Sequence, residues 1–305
     1  MRLRSLVTTT TLLTTLLVGA QGAATAAETP HCADRAAVTV FRPGGLPVAD
    51  WRENLEFDGH GTLWVSHLAR NRVEGYAPDG TLRTTVPVSG PGGIRRGPDG
   101  RMYVNYGVNP LARDGGIVAF DPKAAHPRAA TVVTGTRGIN GLAIDTAGNF
   151  YLTRELATGI LKIRPDGTRD EEWTRKAAVF GTNGIAVSGG QLYASVLTDL
   201  HSSLVRIPLS DPARHTVITR LSPNPLKAKV LDDLTVLDDG DVVVASFARG
   251  ELLRVTPSTG RSCLLATGLR MPTSVRAAHG FGDYDARHDL FVTEASGRIV
   301  RVRIG

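Results

Sequence analysis

The chain has 305 residues, of which 42% are hydrophobic and 21% charged, with a formal net charge of +6. That apolar content excludes a chain without a core. Aromatics are only 6% and the basic residues are spread out, densest at Arg95, Arg96 and Arg101. This argues against a nucleic-acid reader.

In chain order, the first residues read as a leader. Arg2 and Arg4 precede a short, threonine-diluted apolar stretch from Leu6 to Ala20, and Ala24-Thr25-Ala26 supplies small residues for cleavage. Residues 1–27 are therefore expected to be a signal peptide and the mature protein to be secreted, extracellular or periplasmic. The stretch is short for a membrane span, and no later segment is apolar for long enough to form one. Residues 28–36 form an N-terminal extension that carries Cys32. The other cysteine is Cys263. In an exported chain the two permit one disulfide, or they remain separate thiols.

Residues 37–305 repeat. Each unit has an anchor residue, a short apolar strand, a turn with Gly and a second apolar strand. The copies are ENLEFDGHGTLWVSH from Glu53, GGIRRGPDGRMYVNY from Gly92, NGLAIDTAGNFYLTR from Asn140, NGIAVSGGQLYASV from Asn183, DDLTVLDDGDVVVAS from Asp232, and an expanded copy from Thr273. Anchors recur every 39 to 49 residues. A third strand follows each pair, and a fourth usually follows that, with Asp-Gly turns between them. No segment shows sustained helical periodicity. The pattern predicts an all-β, six-bladed β-propeller with four antiparallel strands per blade. The sixth unit ends at Gly305 after its third strand, and Ala37–Phe41 has strand character without a unit of its own. The N-terminal strand is therefore expected to complete blade six and close the ring.

Antiparallel geometry brings the residues that open strand one and those that close strand two to the same face. The first ring reads Glu53, Gly92, Asn140, Asn183, Asp232, Thr273. Glu53, Asn140, Asn183 and Asp232 carry oxygens suited to a hard divalent cation, calcium foremost, whereas zinc would favour His or Cys. The alternative is that Asn-Gly and Asp-Asp are ordinary turn residues that lead into strands. The second ring reads His67, Tyr106, Arg154, Val196, Ser246, Glu294. His67 is a candidate base or substrate donor, or else a solvated loop histidine. Tyr106, Arg154, Ser246 and Glu294 are candidate pocket walls, although Arg154 and Glu294 could simply pair with each other. Asp233 is expected on the opposite side of its strand from Asp232. No H-E-x-x-H, G-x-S-x-G, P-loop, G-x-G-x-x-G or paired C-x-x-C motif is present.

These residues resemble the SMP-30/gluconolactonase-like propellers. The resemblance rests on Glu53 before Asn54-Leu55-Glu56-Phe57, on Asn140-Gly141-Leu142, on Asn183-Gly184-Ile185-Ala186-Val187, and on Asp232-Asp233-Leu234. It implies a divalent cation held by Glu53, Asn140, Asn183 and Asp232, hydrolysis of a lactone or ester, and Asp232 serving also as base. The Gly-Pro that usually follows the first acid is missing. The Arg that precedes the blade-three Asn in that family appears as Arg137, offset by one position, and is counted as a pocket candidate. The leading expectation is an exported, monomeric, metal-dependent lactonase or esterase acting on a small molecule. Two alternatives stay open: a non-catalytic, NHL-like extracellular binding propeller, and a metal-free biosynthetic cyclase-type propeller.

Overall fold

Six antiparallel sheets follow one another along the chain. The structure, a computed structural model, describes residues 29–34, 36–108 and 112–305. The expected signal peptide lies outside the described residues. Blade one shows the plan: innermost Arg52–Phe57, then Leu63–His67, Arg72–Tyr76 and outermost Leu82–Pro87. The innermost strands of blades two to six are Ile94–Arg96, Ile139–Ile144, Thr182–Ser188, Leu231–Val236 and Pro272–Ala277. In blade six the outermost strand is Ala36–Arg42, which pairs antiparallel with Ile299–Ile304, Ala36 opposite Ile304. Both ends of the propeller therefore lie in one sheet.

Blade three departs from the plan. Its sheet has three strands, Ile139–Ile144, Phe150–Arg154 and Leu161–Ile163. A short helix, Glu171–Lys176, follows instead of a fourth. The local sequence favours that helix. Asp170 caps it by accepting from the Trp173 N–H, acids sit in its first turn, and Arg175 and Lys176 sit in its last. Each of these placements complements the helix ends. Buried Trp173 then ties the helix to blade four, donating from Nε1 to the Leu209 carbonyl at 2.8 Å.

The core is divided among the seams between blades. One apolar cluster joins blades one and two (Trp64, Val73, Ile94, Met102), and another joins two and three (Ile117, Ile139, Leu142). Further clusters join three and four (Tyr151, Ile185, Leu192), four and five (Leu204, Leu234, Val242), and five and six (Val243, Leu252, Leu290, Val300). The last joins six back to one through Leu55, Phe57, Phe281, Phe291 and Ile299. Among the described residues strand ladders run within blades, so these clusters do much to hold neighbouring blades together. Each fully buried large apolar side chain contributes roughly 1.5–3 kcal/mol.

Cys32 and Cys263 form a disulfide. Beside it, Cys32 N–H donates to the Leu264 carbonyl and Leu264 N–H to that of Pro30. The N-terminal segment is thus fastened to the outer strand of blade five (Arg261–Ala266) before it enters blade six.

Candidate active site in the central channel

A register shift breaks the innermost pairing at the anchor in five blades. The shifts fall between Arg52 and Asn54, Ile139 and Leu142, Thr182 and Ile185, Leu231 and Leu234, and Pro272 and Ser274. A bulge adds a residue to one strand and re-aims its side chain. Glu53, Asn140, Asn183 and Asp232 come together in this way on the wall of one cavity of about 840 Å³. All four are buried. The glycines beside the anchors allow close approach of neighbouring strands. A Cβ on Gly184 would stand 2.6 Å from the Asp232 carbonyl oxygen, and one on Gly93 would stand 2.6 Å from the Leu142 nitrogen. Asn183-Gly184 is thus a packing pair inside a strand, not a turn.

The anchors are held firmly. Asn140 Nδ2 donates to Glu53 Oε1 at 3.0 Å and to Glu155 Oε1 at 2.6 Å. Trp51 Nε1 donates to Glu53 Oε2. Residues late in strand two grip the backbone of the next blade's anchor. Asn105 Nδ2 donates to the Asn140 carbonyl at 2.8 Å, Thr153 to that of Asn183, and Ser195 to that of Asp232 at 2.8 Å.

Three carboxylates, Glu53, Glu155 and Asp232, share this wall, and among the described residues no Lys, Arg or His lines it. Burial raises the Glu53 carboxyl to about 7, against the hydrogen bonds from Asn140 and Trp51, and Glu155 and Asp233 add repulsion. Burial, then the charges of Glu53, Asp233 and Glu155, hold Asp232 well above the usual carboxylate range. Burial raises Glu155 as well. Asn183 Oδ1 is buried without a hydrogen-bond partner. Among the described residues no group of three or more His, Cys, Asp or Glu side chains is gathered to hold a metal. The donors here are instead mixed, carboxylates with carboxamides. Clustered anionic oxygens plus an orphaned carboxamide oxygen fit a hard divalent cation. Glu53, Asn140, Asn183 and Asp232 are the residues that would hold it.

Below the cavity, Asp233 occupies the channel axis. Its carboxylate accepts from Asn54 (2.8 Å), Arg276 (2.8 Å), Ser274 (2.8 Å) and Arg95 (3.1 Å). These partners come from blades one, two and six, which only an axial position can reach at once. Asp233, expected on the opposite side of its strand from Asp232, does not line the cavity and turns to these axial partners instead. The bulge between Leu231 and Leu234 interrupts simple alternation, so Asp232 and Asp233 both face inward, at successive depths.

The second ring is corrected. His67, Tyr106, Arg154, Ser246 and Glu294 do not line the cavity, and neither does exposed Arg137. His67 is buried between Glu74 (Nδ1 to Oε1, 2.9 Å) and Asp50 (Nε2 to Oδ1, 3.0 Å), so both ring nitrogens face carboxylates away from the site. Tyr106 donates to Asp114, and Arg154 donates to the carbonyls of Thr158 and Gly159. Ser246 donates to the Lys229 carbonyl, and Glu294 pairs with Arg298 at 2.6 Å, not with Arg154. The wall comes one residue later: Leu68, Gly107, Glu155, Leu197 and Phe247. Strand alternation explains the slip, because one residue decides which side a side chain takes. Glu155, Trp51 and Phe247 are thus site residues that the repeat pattern alone missed. A carboxylate directly after Arg154 and aromatics beside Glu53 and Ser246 were the available signals.

No protein-family model and no curated protein matches the sequence. Solved structures do share the fold. A gluconolactonase from Xanthomonas campestris superimposes with a TM-score of 0.65 at 17% identity, over 91% of this chain and 94% of that one. An auxiliary nutrient binding protein from Bacteroides ovatus gives 0.68 at 15% identity, over 89% and 77%. A virginiamycin B lyase from Staphylococcus aureus gives 0.57 at 14% identity, over 83% and 80%. At these identities the likeness establishes the propeller and no more. The neighbours include two differently named enzymes and a binding protein, so the function must be argued from the site.

Proposed function

We propose that the protein is an exported, divalent-cation-dependent hydrolase of lactones or related esters, of the SMP-30/gluconolactonase-like type. The observation that carries this reading is the convergence of Glu53, Asn140, Asn183 and Asp232 on one buried cavity, with the Asn183 oxygen unpartnered and the carboxylates unpaired with any cation among the described residues. A bound divalent ion, calcium foremost, supplies Lewis-acid polarisation of the carbonyl and offsets the charge that develops on its oxygen.

The chain's own residues do the rest. Trp51 and Asn140 fix the Glu53 carboxylate in orientation. Ser195 holds the Asp232 backbone, so the Asp232 carboxylate stays aimed at the cavity. Asp232 takes the proton of the attacking water. Burial and negative neighbours raise its affinity for that proton, as a general base requires. His67, enclosed by Asp50 and Glu74, supports the blade and takes no part in proton transfer.

The test combines calorimetric calcium titration with a panel of lactones and aryl esters. The wild type is expected to bind calcium and hydrolyse at least one panel member. Asp232→Asn keeps the fold and drops kcat by about 10²-fold or more. Tight calcium binding without turnover would instead favour a binding propeller. Full turnover in Asp232→Asn would remove Asp232 from the chemistry.

A further inference from the structure

We infer that the substrate is an uncharged lactone or ester with an apolar side chain, gripped by Trp51 and Phe247, and not a polyhydroxylated or anionic molecule. This rests on the hydrolase reading above and names its substrate class.

Charge comes first. The ionisable residues on the cavity wall are Glu53, Glu155 and Asp232, all acidic. A divalent ion offsets two of the three carboxyl groups, and no cationic side chain of the described wall stands beside the third. A carboxylate or phosphate on the substrate would meet repulsion, with no Lys, Arg or His among the described wall residues to offset it. Of the basic side chains near this mouth, Arg70 pairs with Asp50, Arg72 with Glu74, and Arg154 donates to backbone carbonyls, while Arg113, Arg137 and Arg249 are exposed and do not line the cavity.

Polarity comes second. A hydroxyl-rich ring needs a partner for each hydroxyl that it buries. Away from the anchor residues, the uncharged polar side chains on the wall are those of Asn71 and Ser89. Asn71 Oδ1 already accepts from the Gly90 N–H at 2.8 Å. The remaining wall is apolar, with Leu68, Val108, Leu197 and Val230 beside the two aromatics. Trp51 and Phe247 stack with ring centroids 5.7 Å apart and planes 23° apart, and together they present one continuous apolar wall. Trp51 also bonds Glu53, so this wall adjoins the ligand set.

The rim has the same character. Among the described residues, seven large apolar side chains are more than half exposed, and six of them lie in loops at this end: Leu46, Val48, Leu156, Phe180, Leu200 and Leu226. The opposite mouth differs. It is charged: beside Ala143, Ile144, Val187 and Val236 its smaller concavity carries Glu56, Arg95, Arg96, Arg276 and His279.

The experiment measures kcat/KM, in millimolar calcium, for γ-butyrolactone, its 4-alkyl homologues up to γ-nonalactone, glucono-δ-lactone and a carboxylate-bearing γ-lactone. Expected is a rise of about three- to four-fold per added methylene over the first members, with the last two substrates at least 10-fold below the best homologue. Phe247→Ala should flatten the chain-length dependence, and Phe247→Leu should restore most of it. Preference for glucono-δ-lactone or the carboxylated lactone overturns the inference, as does a flat series in the wild type. If no lactone is hydrolysed, the hydrolase reading falls and binding decides the pocket. Titration with 2-pentylcyclopentanone, a non-hydrolysable ketone, should then show affinity that Phe247→Ala weakens about 10-fold. Absence of that binding overturns the inference as well.

Discussion

Glu53, Glu155 and Asp232 are costly neighbours. Carboxyls gathered on a largely buried wall, with no cation of the described residues beside them, hold their protons more tightly: burial raises all three, and mutual charge adds to the rise of Glu53 and Asp232. The consequence for stability has a definite sign. With the Glu53 carboxyl at about 7 when folded and near 4.5 when unfolded, the folded chain holds the extra proton between those values. Without the ion, stability from this group is greatest below about 4.5 and falls as pH rises through about 7. A divalent ion needs the ionised form, so its stabilisation runs the other way and grows with pH. Thermal unfolding with and without millimolar calcium should show little difference at pH 5 and a rise in Tm of at least about 3 °C at pH 8. An equal shift at both values would count against the ion site. Glu74 behaves in the opposite sense. Burial would raise it, but hydrogen bonds from His67 and Tyr76 and the charge of Arg52 outweigh burial and hold it well below the usual carboxylate range. Its contribution is present above the ordinary carboxylate value and lost at strongly acid pH.

The innermost strands join fold and site. Their anchors point inward because the register breaks there, and they lie close together because glycine follows them in blades two, three and four. Gly184→Ala should therefore damage both. The new methyl would collide with the blade-five backbone at Asp232 and Asp233, costing roughly 1–3 kcal/mol or more. Urea unfolding should show the loss, and calorimetry should show weaker calcium binding, because the side chains of Asn183 and Asp232 flank the clash. Unchanged stability would mean that the strands are free to separate. At this scale much was legible in the sequence. The anchor-to-glycine spacing marked the innermost strands, and Glu53, Asn140, Asn183 and Asp232 do meet in one cavity. Two things were not legible. A bulge leaves no mark in apolar periodicity, so the place of Asp233 on the channel axis could not be read from it. A strand's last residue cannot be told from the next one by composition, so His67, Arg154 and Ser246 stood in for Leu68, Glu155 and Phe247. The helix Glu171–Lys176 was hidden for a third reason. At six residues it is too short to show a period, and only its caps betray it.

Across the described residues, six separate apolar clusters rather than one core hold the ring together. Six apolar seams each join two blades, so weakness at one seam is felt around the circle. The strand Ala36–Arg42 lies against Ile299–Ile304, and just ahead of it the Cys32–Cys263 bridge spans 231 residues of chain. A crosslink over so long a loop restricts the unfolded chain strongly, and its loss should cost roughly 2–5 kcal/mol. Cys32→Ser is expected to unfold at a lower temperature than the oxidised wild type and to be indifferent to reductant, whereas the wild type should fall toward it when reduced. A variant as stable as the wild type would mean that seam packing alone suffices.

The knot around Asp233 stops the bore of the ring, with Asn54, Arg95, Ser274 and Arg276 drawn tight beneath the cavity floor. What resembles a tunnel is a cul-de-sac. On the hydrolase reading proposed above, a product would leave by the mouth through which its substrate came, and would stand in the path of the next arrival.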